Sequence, residues 1–177
     1  DLPCLRRAVG YRGDRPLLFG PQIERPMSTP LTPVFTSEHG SLYQGDCLAL
    51  LESMEDDSVD LVFADPPFNL NKDYGKGIND SLAESEYLDW CSKWISECAR
   101  VLKDGGAFFL YNLPKWNIEL GHEMTQVGLM FRHWVAVDIK MLLPIPGRLY
   151  PSHYSLLYYT KGKPKLLGIF AHDLKMI

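Results

Sequence analysis

Four adjacent residues, Asp65-Pro66-Pro67-Phe68, carry the sharpest chemical signal in this chain. With proline near 5% of residues in average proteins, an Asp-Pro-Pro-aromatic run arises by chance in roughly one chain of this length in several hundred. The residue types suit one job. An amino group on a nucleobase is a poor nucleophile, because its lone pair is delocalised into the ring. A carboxylate and a backbone carbonyl, each accepting one N–H, draw that nitrogen toward sp³ geometry and stabilise the positive charge that grows as it attacks. The two prolines stiffen the backbone, so that the Pro66 carbonyl points at a fixed place. The ring of Phe68 offers a stacking face for a base that has left its helix.

The surrounding elements must position this run. Residues 59–64 are mostly apolar (Val59, Leu61, Val62, Phe63, Ala64), as expected for a strand buried on both faces of a parallel sheet. The motif then sits at the carboxyl end of that strand, where ligands bind in open α/β sheets. Upstream, 41–44 reads as a short strand and 47–54 as a helix, separated by Gly45-Asp46 and followed by the acidic turn Glu55-Asp56-Asp57-Ser58. Downstream, 69–80 is a polar loop, long enough for a compact domain to hint at function. Ser81-Leu82-Ala83-Glu84 has the spacing of a capping box. The helix it opens places Tyr87, Leu88, Cys91, Trp94, Ile95, Cys98, Val101 and Leu102 at helical spacing, so both cysteines read as core. Lys103-Asp104-Gly105-Gly106 stops that helix. A buried strand at 107–111, a helix at 116–127, a strand at 131–139, a loop with Pro144, Pro146 and Pro151, and a last strand at 154–160 complete the pattern. Strands alternating with helices predict a three-layer α/β domain with a mostly parallel sheet.

Composition sets the outer bounds. The 177 residues include 18 basic and 22 acidic groups, so the formal charge is 18 − 22 = −4, and the chain as a whole is no general polyanion binder. No apolar run approaches the ~20 residues of a membrane span, and the start lacks the apolar stretch of a signal peptide. Cys4, Cys47, Cys91 and Cys98 lack the paired short spacings of a zinc site or disulfide framework. The expectation is a cytoplasmic protein without a metal and without a membrane contact. Residues 1–33 read as an irregular N-terminal arm, 34–165 as the catalytic region, and 166–177 as the start of a truncated region. The first residue is Asp rather than Met, and the last segment closes no element, so both ends are candidate fragment boundaries.

The segment from Gly45-Asp46 through Ser58-Val59-Asp60-Leu61-Val62-Phe63-Ala64-Asp65-Pro66-Pro67-Phe68-Asn69 resembles the amino-methylating DNA methyltransferases, the N6-adenine and N4-cytosine family. The resemblance extends through the helix at 81–102 and the strand at 107–111 to the closing 153–161, and so covers most of 41–165. It implies a Rossmann-like S-adenosylmethionine-dependent methyltransferase fold, incomplete in this chain, and an enzyme acting on double-stranded DNA in the manner of restriction–modification systems. It further implies that Asp65 and the Pro66 carbonyl bind the target amine, that Pro67 belongs to the catalytic motif, and that Phe68 stacks on the flipped base. The N4-cytosine branch usually has Ser where Asp65 stands, which points to adenine.

For the cofactor S-adenosylmethionine, the resemblance implies Asp46, the neighbouring backbone of Cys47, and Asp65. Asp46 reads equally well as a helix N-cap. Asn69 and Lys72 are candidates for DNA contact from the loop. His153 resembles part of a His-Glu pair in which Tyr154 here replaces the acid, and it reads as an ordinary strand histidine. No acidic residue occurs from 139 to 172, so Lys140, Arg148, Lys161, Lys163 and Lys165 are candidates to face phosphates. The family's Phe-x-Gly-x-Gly cofactor loop is not found, and Gly75-Lys76-Gly77 reads as plain loop. The chain therefore resembles the catalytic half of an arrangement that places the cofactor loop last, and is expected to be inactive in isolation. The alternatives are an N4-cytosine enzyme, an enzyme acting on an RNA base, and a truncated remnant that no longer catalyses.

Overall fold

In the computed structural model, residues 32–72, 80–138, 147 and 153–164 are described, together with the backbone of 9–11 and 16–18. Within the N-terminal arm, β1 (Val9–Tyr11) and β2 (Pro16–Leu18) form an antiparallel ribbon with Val9 opposite Leu18. A second ribbon joins β3 (Phe35–Ser37) and β4 (Gly40–Leu42), with Phe35 opposite Leu42. The strand expected at 41–44 is therefore found slightly earlier, and outside the main sheet. Its partner is only a tight turn away, and the Ser37 hydroxyl, which accepts the His39 N–H at 3.2 Å, fastens that turn.

The main domain continues through α1 (Cys47–Glu52), β5 (Val59–Ala64), α2 (Glu84–Val101), β6 (Leu102–Asn112), α3 (Pro114–Gln126), β7 (Leu129–Asp138) and β8 (His153–Lys161). The sheet order is β5-β6-β8-β7. Among the described strands, only β5 and β6 pair in parallel; β8 lies antiparallel between β6 and β7. The mostly parallel sheet of the sequence reading is thus corrected to a mixed one. Crossover helices α2 and α3 return the chain so that β5, β6 and β7 share a direction. Strand β8 runs back between β6 and β7.

The described helices lie on one face. Tyr87, Cys91, Trp94, Ile95 and Cys98 of α2 and Trp116, Leu120 and Met124 of α3 form a core with Phe108, Leu110, Leu157 and Tyr159. The stripe expected at 87–102 is the one that is buried. Residues 59–64 are not buried on both faces: Leu61 is 48% and Phe63 60% exposed. The physical reason is position, because β5 is an edge strand of the described sheet and its second face meets no described helix. Along that second face Phe109 stacks on Tyr158 with ring centroids 4.7 Å apart.

Two junctions set the height of β5 against its neighbours. Helix α2 passes directly into β6, and the register jumps from Val59–Leu102 to Leu61–Ala107, so 103–106 bulge out. Gly105 adopts φ +80°, and a Cβ on Gly106 would lie 2.8 Å from both Leu102 Cδ1 and the Lys103 carbonyl, so both glycines are required. The last carbonyls of α2 are capped by Lys161, whose Nζ donates to Ala99, Arg100 and Leu102 oxygens at 2.9, 3.2 and 2.7 Å. Lys161 is therefore a helix cap rather than a phosphate contact. Lys140, Arg148 and Lys165 lie outside the described residues, and Lys163 is exposed.

Candidate active site

Asp65 leaves β5 at its carboxyl end, beside a cleft of about 920 Å³. That volume falls within the usual range of small-molecule sites. The cleft brings Asp46 and Cys47 together with Asp65, Pro66, Pro67 and Asn69, two runs separate in sequence. Neither Phe68 nor Lys72 lines it.

The Asp46 Oδ1 accepts the Leu48 N–H at 3.0 Å, capping α1 as the sequence allowed, and the residue also lines the cleft. Cys47 opens the same helix and is exposed. Its thiol is pushed above the ordinary range by desolvation first and then by the Asp46 charge.

The backbone around the motif is held from three directions. The Tyr87 hydroxyl of α2 donates to the Pro67 carbonyl at 2.8 Å, and the Trp116 Nε1–H of α3 donates to the Phe68 carbonyl at 2.8 Å. Asp80, 4% exposed, accepts the Asn69 N–H at 2.8 Å through Oδ1, and the Leu70 and Lys72 N–H groups at 3.0 and 2.9 Å through Oδ2. Asn69 and Asn71 sit at φ +54° and +58°, a left-handed backbone that asparagine tolerates better than most residues. The Asn69 amide is engaged internally, donating to the Leu82 carbonyl at 2.9 Å and accepting the Leu82 N–H at 2.8 Å. That bond keeps 81–82 outside the helix. The N-cap of α2 is consequently Ala83, with Glu86 accepting the Ala83 N–H at 3.3 Å, rather than the Ser81 box expected from spacing.

Phe68 is half-buried in an aromatic trio. Its centroid is 5.8 Å from Tyr111 and 5.5 Å from Tyr154, and those two rings meet edge to face at 5.5 Å. The Tyr111 phenol is pushed above its ordinary range by desolvation, then by Tyr154 and the Asp65 carboxylate, which places that charge in the field of the trio. Neither the Asp65 carboxylate nor the Pro66 carbonyl has a hydrogen-bond partner among the described residues. His153, next to Tyr154, is exposed.

Sequence reasoning missed Tyr87, Trp116, Asp80, Tyr111 and Tyr154 as parts of this site. The available signal was that Tyr87 and Trp116, both on apolar helix stripes, carry polar atoms that need partners when buried. Among the described residues, no group of three or more His, Cys, Asp or Glu side chains could hold a metal ion, and no helix is long and apolar enough to cross a membrane.

The β5–β6 unit with its strand-end motif and the reversed β8 belong to the Rossmann-like fold of S-adenosylmethionine-dependent methyltransferases. A solved structure described as PvuII DNA methyltransferase (cytosine-N4-specific) superposes with a TM-score of 0.63 and 26% identity, covering 75% of this chain and 53% of that one. The chain belongs to the N6/N4 DNA methyltransferase family, whose model, described as DNA methylase, matches residues 59–175. It is 53% identical over 140 residues to the type II methyltransferase M.BamHI of Bacillus amyloliquefaciens, covering 78% of this chain and 33% of that protein. It is 31% identical over 121 residues to M.HpaI of Haemophilus parainfluenzae, covering 68% and 38%. A DNA adenine methyltransferase of Escherichia coli, YhdJ, is 40% identical over 78 residues, covering 44% and 26%. The chain thus spans roughly a third of the length of these curated relatives.

Proposed function

We propose that this chain carries the catalytic region of an S-adenosylmethionine-dependent enzyme that methylates an exocyclic base amine in double-stranded DNA, with 34–165 as that region. One observation carries the reading. At the end of β5, the Asp65 carboxylate and the Pro66 carbonyl are the acceptors left without a described partner, while the next two carbonyls are both taken. Two adjacent unused acceptors match the two hydrogens of an amino group. Asp65 takes one and the Pro66 carbonyl the other, and together they stabilise positive charge on the nitrogen as its lone pair is drawn into bonding. Because Asp65 is exposed, the proton released from the methylated amine passes through its carboxylate to water. Phe68, braced by Tyr111 and Tyr154, presents the stacking surface for the flipped base. Lys72 is the loop residue proposed to contact DNA; Asn69 contributes by holding the loop in shape.

The cleft fits the cofactor. Apolar residues Leu50, Val62 and Phe63 line it beside Asp46 and Asp65, which suits an adenosine with a cationic sulfonium. When bound there, S-adenosylmethionine supplies an electrophilic methyl group. Asp46, the backbone of Cys47, and Asp65 are the residues proposed to hold it.

The presence of Asp65 in the motif supports adenine N6 as the acceptor. Likeness to a structure described as cytosine-N4-specific supports the second reading, cytosine N4. The test uses the full-length gene product containing this chain. DNA it has methylated is digested and the nucleosides separated by mass. N6-methyladenine is the expected product; N4-methylcytosine alone overturns the base assignment, and neither product marks a non-catalytic remnant. Asp65→Ala should lower methyl transfer by about 10²–10³ while leaving thermal unfolding unchanged. Near-normal turnover in that variant refutes the role of Asp65.

A further inference from the structure

We propose that Tyr87 and Trp116 are positioning residues that aim the Pro66 carbonyl, acting through the two peptide groups that follow it; the inference rests on the catalytic reading of Asp65 and Pro66. The Pro66 carbonyl belongs to the peptide plane between the two prolines. The ring of Pro67 fixes its own φ, so this plane can swing against the next one only through ψ of Pro67. The Tyr87 hydroxyl holds the Pro67 carbonyl at 2.8 Å and thereby holds that torsion. The Trp116 indole holds the Phe68 carbonyl at 2.8 Å and fixes the torsion after it. From the other side, Asp80 takes the N–H of Asn69 at 2.8 Å. With these groups tied, the direction of the Pro66 carbonyl is set by the interior of the protein and not by the substrate.

The anchors are themselves rigid. Tyr87 is 2% and Trp116 4% exposed, and their rings pack with centroids 4.7 Å apart. Asn112, fully buried, donates from Nδ2 to the Tyr87 hydroxyl at 3.0 Å, and its own Oδ1 is fastened by the Leu113 N–H at 2.7 Å. That bond fills the acceptor side of the phenol and leaves its hydrogen for Pro67. Burial pushes the Tyr87 phenol well above its ordinary range, so it stays a donor at any working pH. A core tyrosine needs one partner for its hydroxyl; this one has two in line, and the second ends on the motif. The same chain of bonds continues through the Ser155 hydroxyl, which donates to the Asn112 carbonyl at 3.2 Å, and so ties the motif to β8, the strand that carries Tyr154.

The substitution Tyr87→Phe keeps the ring and its packing but removes the hydroxyl; Trp116→Phe removes the indole N–H together with part of a buried ring, so Tyr87→Phe is the cleaner arm. In the full-length protein, each should lower kcat for methyl transfer by about tenfold to a hundredfold, the scale expected for misplacing a reacting group, with KM for DNA and for S-adenosylmethionine within about twofold. Turnover unchanged, or a loss that falls wholly in KM, overturns the inference. A second readout does not depend on turnover. Amide exchange at Asn69, whose N–H Asp80 holds at 2.8 Å, should quicken about tenfold in either variant, the consequence of losing one hydrogen bond of ordinary strength, while α2 and β8 exchange as in the parent. Unchanged exchange at that amide also overturns it. Asp65→Ala, measured alongside, separates the two levels. Full activity in Asp65→Ala sinks the catalytic reading itself. Loss there with a fully active Tyr87→Phe sinks only the positioning role.

Discussion

Replacing Asp80 by alanine should cost this domain much more stability than a loop residue ordinarily does. The carboxylate is almost wholly buried and accepts three backbone N–H groups, at 2.8, 3.0 and 2.9 Å. Hydrogen bonds to a charged group are worth ~1.5–3 kcal/mol each when their partner is left dry. Here Leu70 is 44% exposed, so water reaches part of the loop once it is freed. Discounting each bond to ~1 kcal/mol for that reason gives a loss of ~3 kcal/mol in all. In a domain of this size that corresponds to a fall of roughly 6–12 °C in Tm. Asp80→Asn sharpens the test. Its amide keeps one oxygen for the Asn69 N–H, but places an NH₂ where Oδ2 now accepts from Leu70 and Lys72. Donors would then face donors, so Asp80→Asn should lie close to Asp80→Ala and far from the parent. Differential scanning calorimetry of the three proteins decides it. A midpoint within 2 °C of the parent, on the order of the effect of a neutral surface change, would refute the reasoning for Asp80→Ala, as would a fully stable Asp80→Asn.

Two further outcomes follow from the site. Phe68→Ala should reduce methyl transfer by the full-length protein roughly tenfold to a hundredfold, because stacking is worth ~1–3 kcal/mol per base, whereas Phe68→Tyr keeps the π-face and should be tolerated; steady-state turnover with equal activity for the parent and Phe68→Ala would remove the stacking role. Among the three described cysteines, burial pushes the thiols of Cys91 and Cys98 up to about 12, so both stay protonated and inert through pH 8, while exposed Cys47 is alkylated first. Because the Cys47 thiol is also raised, its rate should still be climbing with pH above the ordinary thiol range; peptide mass mapping that finds Cys91 modified as fast as Cys47 in the native protein would contradict the burial described here.

The sequence by itself located the elements whose signals are local. The stripe from Tyr87 to Val101 follows from a 3.6-residue period, the end of β5 from two prolines that cannot continue a ladder, and the α2–β6 junction from Gly105-Gly106. The Asp-Pro-Pro-Phe run was legible as a chemical unit because its residue types are rare together. The tertiary structure alone decided which strands are neighbours, and so made the sheet mixed and left one face of β5 exposed. An alternating pattern records that strands exist but not their order, since β8 reaches its place between β6 and β7 only by pairing with both. The same is true of the site. Tyr87 bonds a carbonyl 20 residues away and Trp116 one 48 residues away. Those partnerships leave no mark in periodicity, because an aromatic residue that only packs the core and one that also bonds a distant backbone carbonyl occupy the same stripe. The difference lies in where a single O–H or N–H comes to rest, and only the folded chain determines that.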